Sequence, residues 1–207
     1  MTLAFIGIGK VGSTLAHQFQ QQGHQILIGH HNPNSSSVQA ALAQNTAFQV
    51  RGIQEAIDKA DLIFLAIPFQ AATTVLDGLK FNEKVLVDCT NPVGAGLRHG
   101  LDSIISGAEK IQQWAPDACV VKAYSIYGYE NFDGRWRTVE QSPSMLIAGD
   151  DANAKQQLVS LNADLGFQTL DTGALSQALH LEHLTLLWIS MVRANKQPNF
   201  AWAQLLD

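Results

Sequence analysis

Residues 3–12 read LAFIGIGKVG, and this stretch decides the fold. Its first four residues are apolar at every position, which suits a strand buried on both faces of a parallel sheet. Gly7, Gly9 and Gly12 then stand in the spacing G-x-G-x-x-G. Val11, Leu15 and Phe19 recur at i, i+4 and i+8, which predicts an amphipathic helix over Val11–Gln22 that Gly23 stops. Strand, glycine turn and helix in direct succession make a phosphate-binding turn. Gly7 permits the bend, Gly9 lets the backbone approach a pyrophosphate, and Gly12 lets the helix pack close to the strand. The helix N-terminus adds unpaired N–H groups and a partial positive charge. The alternative is a strand-to-helix turn that carries no ligand.

The pattern continues along the chain. Further apolar runs at Ile26–Ile28, Leu62–Ile67, Val85–Val87, Cys119–Ala123 and Met145–Ala148 read as strands, with a last one near Phe167–Leu170. Asp residues open, and Gly166 closes, a helix over Asp151–Leu165. Strands alternating with helices predict an α/β fold, a doubly wound, mostly parallel sheet of the Rossmann kind. Residues 1–171 form that domain. Residues 172–207 read as a short C-terminal helical extension, with Leu175, Leu179 and Leu186 on an apolar stripe before Pro198. At 36 residues it is too short for a second domain and packs on the sheet or on a partner subunit, which suggests a homodimer.

Composition narrows the function. The chain has 207 residues, 46% of them hydrophobic, so a sizeable core can be buried. A net charge of −5 with only 15% charged residues disfavours nucleic acid as a partner. Two cysteines, Cys89 and Cys119, are too few for a disulfide scaffold. No apolar run reaches about 18 residues, so no membrane span is expected. The N-terminus runs straight into the glycine turn without a basic leader, and the expected location is the cytoplasm.

Ligands of such sheets lie outside the carboxyl ends of the strands. The second strand ends in Ile28-Gly29-His30-His31-Asn32-Pro33, where NAD-preferring sites carry an acid. No carboxylate stands here to repel a 2′-phosphate, and His30, His31, Asn32 and Ser35–Ser37 can donate hydrogen bonds, which favours NADP(H). A solvated polar turn is the other reading. The remaining ends carry Ala66-Ile67-Pro68, then Thr90-Asn91-Pro92, then Ala123-Tyr124-Ser125-Ile126-Tyr127. Asn91 could fix a ribose or an amide, and Tyr124 and Tyr127 could stack on a flat ring or pack in the rim. Asp88 reads as a turn or cap residue and the two cysteines as buried thiols. Arg135-Trp136-Arg137 reads as an exposed loop. His180 and His183 are spaced i, i+3 but have no third ligand nearby, so no metal is expected.

No acid-base set falls on these turns, and no catalytic residue is assigned beyond the candidates Ser125 and Tyr127. That suits hydride transfer between two ring cofactors, where no carbonyl has to be protonated. The protein then only holds two planar rings at about 3–3.5 Å between reacting atoms.

These motifs resemble the NADPH-dependent reductases of the deazaflavin coenzyme F420, and the related nucleotide domain of the six-transmembrane metalloreductases. The resemblance covers nearly the whole chain. It is carried by GIGKVG, ILIGHHNP, DLIFLAIPFQ, VLVDCTNP, VVKAYSIYG, IAGDDANAK and DTGALSQALHLEHLTLLWI. It implies that Gly7, Ile8, Gly9, Lys10 and Val11 hold the pyrophosphate, and that His30 and His31 fall where the family's Ser-Arg pair grips the 2′-phosphate. It implies that Ala66, Ile67 and Pro68 lie beside the ribose, Asn91 and Pro92 beside the nicotinamide, and Ala123 onward where the deazaflavin or flavin (FMN or FAD) stacks. His31 replaces the usual Arg and Ser125 the usual Asn. The implied activity is hydride transfer between NADP(H) and coenzyme F420 or a flavin. An NADPH-binding sensor without turnover is the alternative. A small-substrate dehydrogenase or imine reductase ranks last, because such enzymes need a larger helical domain than 36 residues.

Overall fold

The computed structural model describes residues 1–205. The final two residues of the expected extension lie outside them. Eight strands form one sheet: β1 (Thr2–Ile6), β2 (Gln25–Gly29), β3 (Gln49–Arg51), β4 (Leu62–Leu65), β5 (Val85–Asp88), β6 (Cys119–Lys122), β7 (Ser144–Gly149) and β8 (Gln168–Asp171). Their order is β3-β2-β1-β4-β5-β6-β7-β8. All neighbours run parallel except β6 and β7, which pair antiparallel through Val121↔Gly149 and Lys122↔Ala148. This is the doubly wound, mostly parallel sheet expected from the apolar runs. β4 and β5 are buried at all four positions, because helices cover both faces of the sheet.

Seven helices accompany the strands: α1 (Lys10–Gln21), α2 (Ser36–Gln44), α3 (Ile53–Lys59), α4 (Ala72–Leu76), α5 (Gly107–Trp114), α6 (Ala152–Asp164) and α7 (Ala178–Asn195). α1 buries Leu15, Ala16 and Phe19. Phe19 joins Phe5 and Phe64, whose rings stack with centroids 4.7 Å apart, to form an aromatic centre under the glycine turn. α6 opens on the Asp151 carboxylate, which accepts from Ala154 N at 2.7 Å. α5 opens on a capping box, with Ser106 and Glu109 bonding reciprocally.

The extension is helical, as expected, but not from its first residue. A single 3₁₀ turn over Leu175–Gln177 comes first, and α7 ends at Asn195 with Lys196 in the left-handed region. The face α7 buries is Ala178, Leu181, Glu182, Thr185 and Trp188, whereas Leu179 and Leu186 are only half-buried. It packs on α5 and β7. A charged and a hydroxyl side chain thus sit in the middle of its inward face.

Candidate functional site

β1 has β2 on one side and β4 on the other, so the chain changes direction across the sheet there. A crevice opens at that point, at the carboxyl ends of the strands. The turn after β1 is closed by two glycines and open at the third. Gly7 has φ +98°, and a Cβ on it would stand 2.5 Å from Ala66 O and Ile67 Cγ2. A Cβ on Gly12 would run into the Gly7 carbonyl. Gly9, by contrast, caps α1 in ordinary extended backbone at φ −73° and supplies no side-chain cap. A Cβ on it would meet nothing within 4 Å. The first N–H groups of α1 therefore face open space over a bare glycine, the cradle a pyrophosphate requires.

Three concavities join into one groove across this turn. The middle one, about 280 Å³, lies between Gly7–Gly9, Gly29–His31, Ile53 and Ala66–Pro68. It shares Gly9 and Ala66–Pro68 with a second, about 440 Å³, that continues over Lys10 and Val11 to Thr90 and Asn91. It shares His30 and His31 with a third, about 480 Å³, bounded by Arg51, Gly52, Glu55 and Lys59. The groove thus runs from the β2–β3 edge, past the helix N-terminus, to the turn after β5.

At the β2 end, His30 Nδ1 accepts from Asn32 N at 2.9 Å, and Asn32 Oδ1 accepts from Asn34 N at 2.9 Å. These two contacts shape the loop, so the Asn32 carboxamide oxygen is committed to the turn itself. His31 is exposed at the groove wall. No Asp or Glu lies between Gly29 and Ser37.

The other end rests on a buried charged cluster. Lys122, at the end of β6, donates to Asp88 Oδ2 at 3.0 Å and to the Thr90 carbonyl at 2.5 Å. It also pairs with Glu182 Oε1, on α7, at 2.9 Å. Asp88 Oδ1 accepts from Thr90 N at 2.9 Å. Glu182 Oε2 in turn accepts from Gly107 N at 2.9 Å and pairs with His99 Nε2 at 2.8 Å. Burial alone would lower the Lys122 ammonium, but the Asp88 and Glu182 carboxylates outweigh it and hold it above the usual lysine range. Burial likewise raises the Glu182 carboxyl, and Lys122, the His99 bond and the Gly107 N–H outweigh it, leaving it below the usual range. The cluster fixes both backbone groups of Thr90 and ties the turn after β5 to β6, α5 and α7.

Asn91 is a strut in the same assembly. Its Nδ2 donates to Ser125 O at 2.9 Å and its Oδ1 accepts from Thr185 Oγ1 at 3.2 Å. Asn91 lines the groove, while Pro92 and Ala123 are buried behind it. Thr90 Oγ1 and Ser125 Oγ are buried and have no hydrogen-bond partner among the described residues. Tyr124 and Tyr127 do not reach the groove. Tyr124 sits at φ +54°, which turns its ring among Phe19, Phe64 and Phe132. Burial pushes its hydroxyl well above the usual range. Tyr127 stacks on Phe167, and its hydroxyl donates to Ser144 O at 2.8 Å while accepting from Trp202 N. Asp88 is more than a cap, since it is the buried counter-ion of Lys122. Of the His180/His183 pair, His183 meets Ser103 Oγ at 2.9 Å, and among the described residues no group of three side chains could hold a metal.

Arg51, Lys122, Glu182 and His99 escape the sequence reading. A signal existed for two of them. Lys122 ends the apolar run CVVK, and Glu182 interrupts the apolar stripe of α7; charges so placed are buried only when paired.

Comparison with known proteins agrees with this geometry. Residues 2–92 match the family model described as "NADP oxidoreductase coenzyme F420-dependent". Metalloreductase STEAP3 of Rattus norvegicus is 28% identical over 188 residues, 89% of this chain and 36% of that protein. Metalloreductase STEAP2 of Mus musculus is 24% identical over 93% of this chain and 37% of its own length. The chain therefore spans little more than a third of these relatives. Among solved structures, a protein named as an F420-dependent NADP-reductase, from Arthrobacter sp. FB24, superposes with a TM-score of 0.84 at 23% identity, covering 99% of both chains. An imine reductase from Myxococcus stipitatus superposes at 0.68 and 18% identity, over 94% of this chain but only 62% of that one. Both show the fold. Among the described residues no helix is long and apolar enough to cross a membrane. Through residues 2–92, the stretch from β1 to the turn after β5, the chain is similar to the family described as NADP oxidoreductase coenzyme F420-dependent.

Proposed function

We propose that this chain binds NADP(H) along the groove and moves a hydride between it and a deazaflavin or flavin acceptor. The observation that carries the reading is the run of adjoining recesses, from the His30–His31 end of β2, over bare Gly9, to the braced turn at Thr90–Asn91. Gly7, Ile8, Gly9, Lys10 and Val11 would hold the pyrophosphate, with His30, His31 and Asn32 at the adenosine end. Ala66, Ile67, Pro68, Asn91 and Pro92 would position the nicotinamide ribose and ring. Ala123 and Ser125 sit behind that end. When bound, the dinucleotide supplies the hydride. The protein contributes orientation, because a rigid floor holds one ring plane while the acceptor approaches. Lys122 and Glu182 keep that floor rigid without touching the reacting atoms. Two free thiols fit a reducing cytoplasm.

The test mixes the protein with NADPH and, in turn, coenzyme F420, FMN and FAD, and follows NADPH absorbance. Oxidation coupled to reduction of one of the three is expected. Tight NADPH binding with none of them reduced contradicts the acceptor assignment and leaves a nucleotide-binding sensor. The same reading has two copies pairing through α7, whose Leu187 side is about half exposed. Leu187→Lys is expected to convert a dimer to a monomer in light scattering; a wild type already monomeric contradicts the pairing.

A further inference from the structure

A phosphate dianion on the adenosine ribose needs a cation, and neither imidazole at the β2 end is a permanent one. The strand beside it carries one. Arg51 registers with Gly29 at the end of β3, and His30 N donates to the Arg51 carbonyl at 3.0 Å. Arg51 and the two histidines border the same 480 Å³ recess, which joins the adenosine end of the groove. The guanidinium is held by its own segment: Nη1 donates to Val50 O at 2.8 Å, Nη2 to Gln49 Oε1 at 3.0 Å, and Nε lies 3.3 Å from Glu55. Its side chain is 34% exposed. Lys59, one turn further on α3, shares the same Glu55 carboxylate at 2.7 Å. Two permanent cations thus face one acid in this recess, a surplus of one positive charge before either histidine is protonated. An exposed ion pair of this kind is weakly held, so Glu55 can stay with Lys59 when Arg51 turns to a stronger anion.

We propose that Arg51 is the specificity-determining residue for a 2′-phosphate: its planar fork takes the phosphate monoester from the β3 side, and His30 and His31 complete the ring of donors. This rests on the dinucleotide reading of the groove. A fork of parallel donors suits a phosphate better than a point charge, and the bond is charge-assisted at both ends.

The test is calorimetric titration with adenosine 2′,5′-bisphosphate and adenosine 5′-monophosphate, then NADPH and NADH, on wild type, Arg51→Met and Arg51→Lys. Wild type is expected to prefer both 2′-phosphorylated ligands. Arg51→Met is expected to lose on the order of 10- to 100-fold for those two, with the other two unchanged. Arg51→Lys is expected to fall between. An unchanged preference in Arg51→Met overturns the assignment, and so does a wild type that binds both fragments alike; dinucleotide binding itself then still stands. If wild type binds neither dinucleotide, the groove reading has failed, and Arg51's role with it.

Discussion

Gly9→Val is expected to abolish NADPH binding and leave a cooperatively folded chain. Gly9 has an ordinary backbone conformation, φ −73° and ψ −163°, so a β-branched residue is not strained there. Its Cβ would project into open space. The isopropyl group would therefore occupy the cradle in front of the α1 N–H groups, where a pyrophosphate must come within hydrogen-bond distance of the backbone. The cost to the fold is that of a poorer helix cap, about 1 kcal/mol, or a few degrees in Tm for a chain of this size. Gly7 is the contrasting control. Its φ of +98° and the 2.5 Å approach to Ala66 and Ile67 mean that valine there breaks the turn itself. Calorimetric titration beside a thermal melt separates the two cases. Saturable NADPH binding by folded Gly9→Val protein would place the nucleotide elsewhere.

Lys122→Met is expected to destabilise the protein by about 3–5 kcal/mol, because it leaves two buried carboxylates without their shared cation. The pH dependence gives the sign. In the wild type Glu182 lies below its ordinary 4.5, so its contribution is complete above that value and is lost as pH falls through the depressed one. In the variant the strongest influence lowering the carboxyl is gone, and burial, the largest cause of all, is opposed only by the His99 bond and the Gly107 N–H, so the carboxyl rises. Folding then takes up a proton at Glu182, and the variant gains stability relative to the wild type on acidification from pH ~7 to ~5, a range over which Glu182 of the wild type stays ionised. Urea melts across that range should show the gap between the two proteins narrowing. A constant gap, or one under about 1 kcal/mol, would show that the cluster is not charged as described. Because Thr90 and Asn91 hang on this cluster, the variant is also expected to raise the KM for NADPH; unchanged kinetics in folded variant would confine Lys122 to stability.

Much of the architecture was legible because it follows from local periodicity. Short runs apolar at every position suit strands covered on both faces, and the glycine spacing gained its meaning from the strand before it and the helix after it. β3 left no such trace. Gln49–Arg51 is three half-buried residues at the sheet edge, held by pairing to β2 rather than by an apolar run. α5 was readable in principle, since Ser106 and Glu109 stand in capping-box spacing. The antiparallel entry of β7 was not, because strand direction depends on how the chain crosses between β6 and β7.

The candidate site was legible where a backbone turn shapes the groove and obscure where distant side chains meet. Gly7–Val11, His30, His31, Ala66–Pro68 and Asn91 do fall on one groove. Tyr124 was misleading because residue type gives no hint of a left-handed backbone, and that conformation turns its ring into the aromatic core. The partnership of Lys122 with Glu182 spans 60 residues of sequence and exists only once α7 lies against α5. Arg51 was hidden for the same reason: its relevance depends on β3 lying beside β2.

The most direct test of the account is a crystal structure of the protein with NADPH. The expected density has the pyrophosphate over Gly9 at the N-terminus of α1. The adenosine end should lie by His30, His31 and Arg51, and the nicotinamide by Pro68 and Thr90–Asn91. Dinucleotide bound in the opposite direction, or away from the Gly7–Gly12 turn, would contradict it.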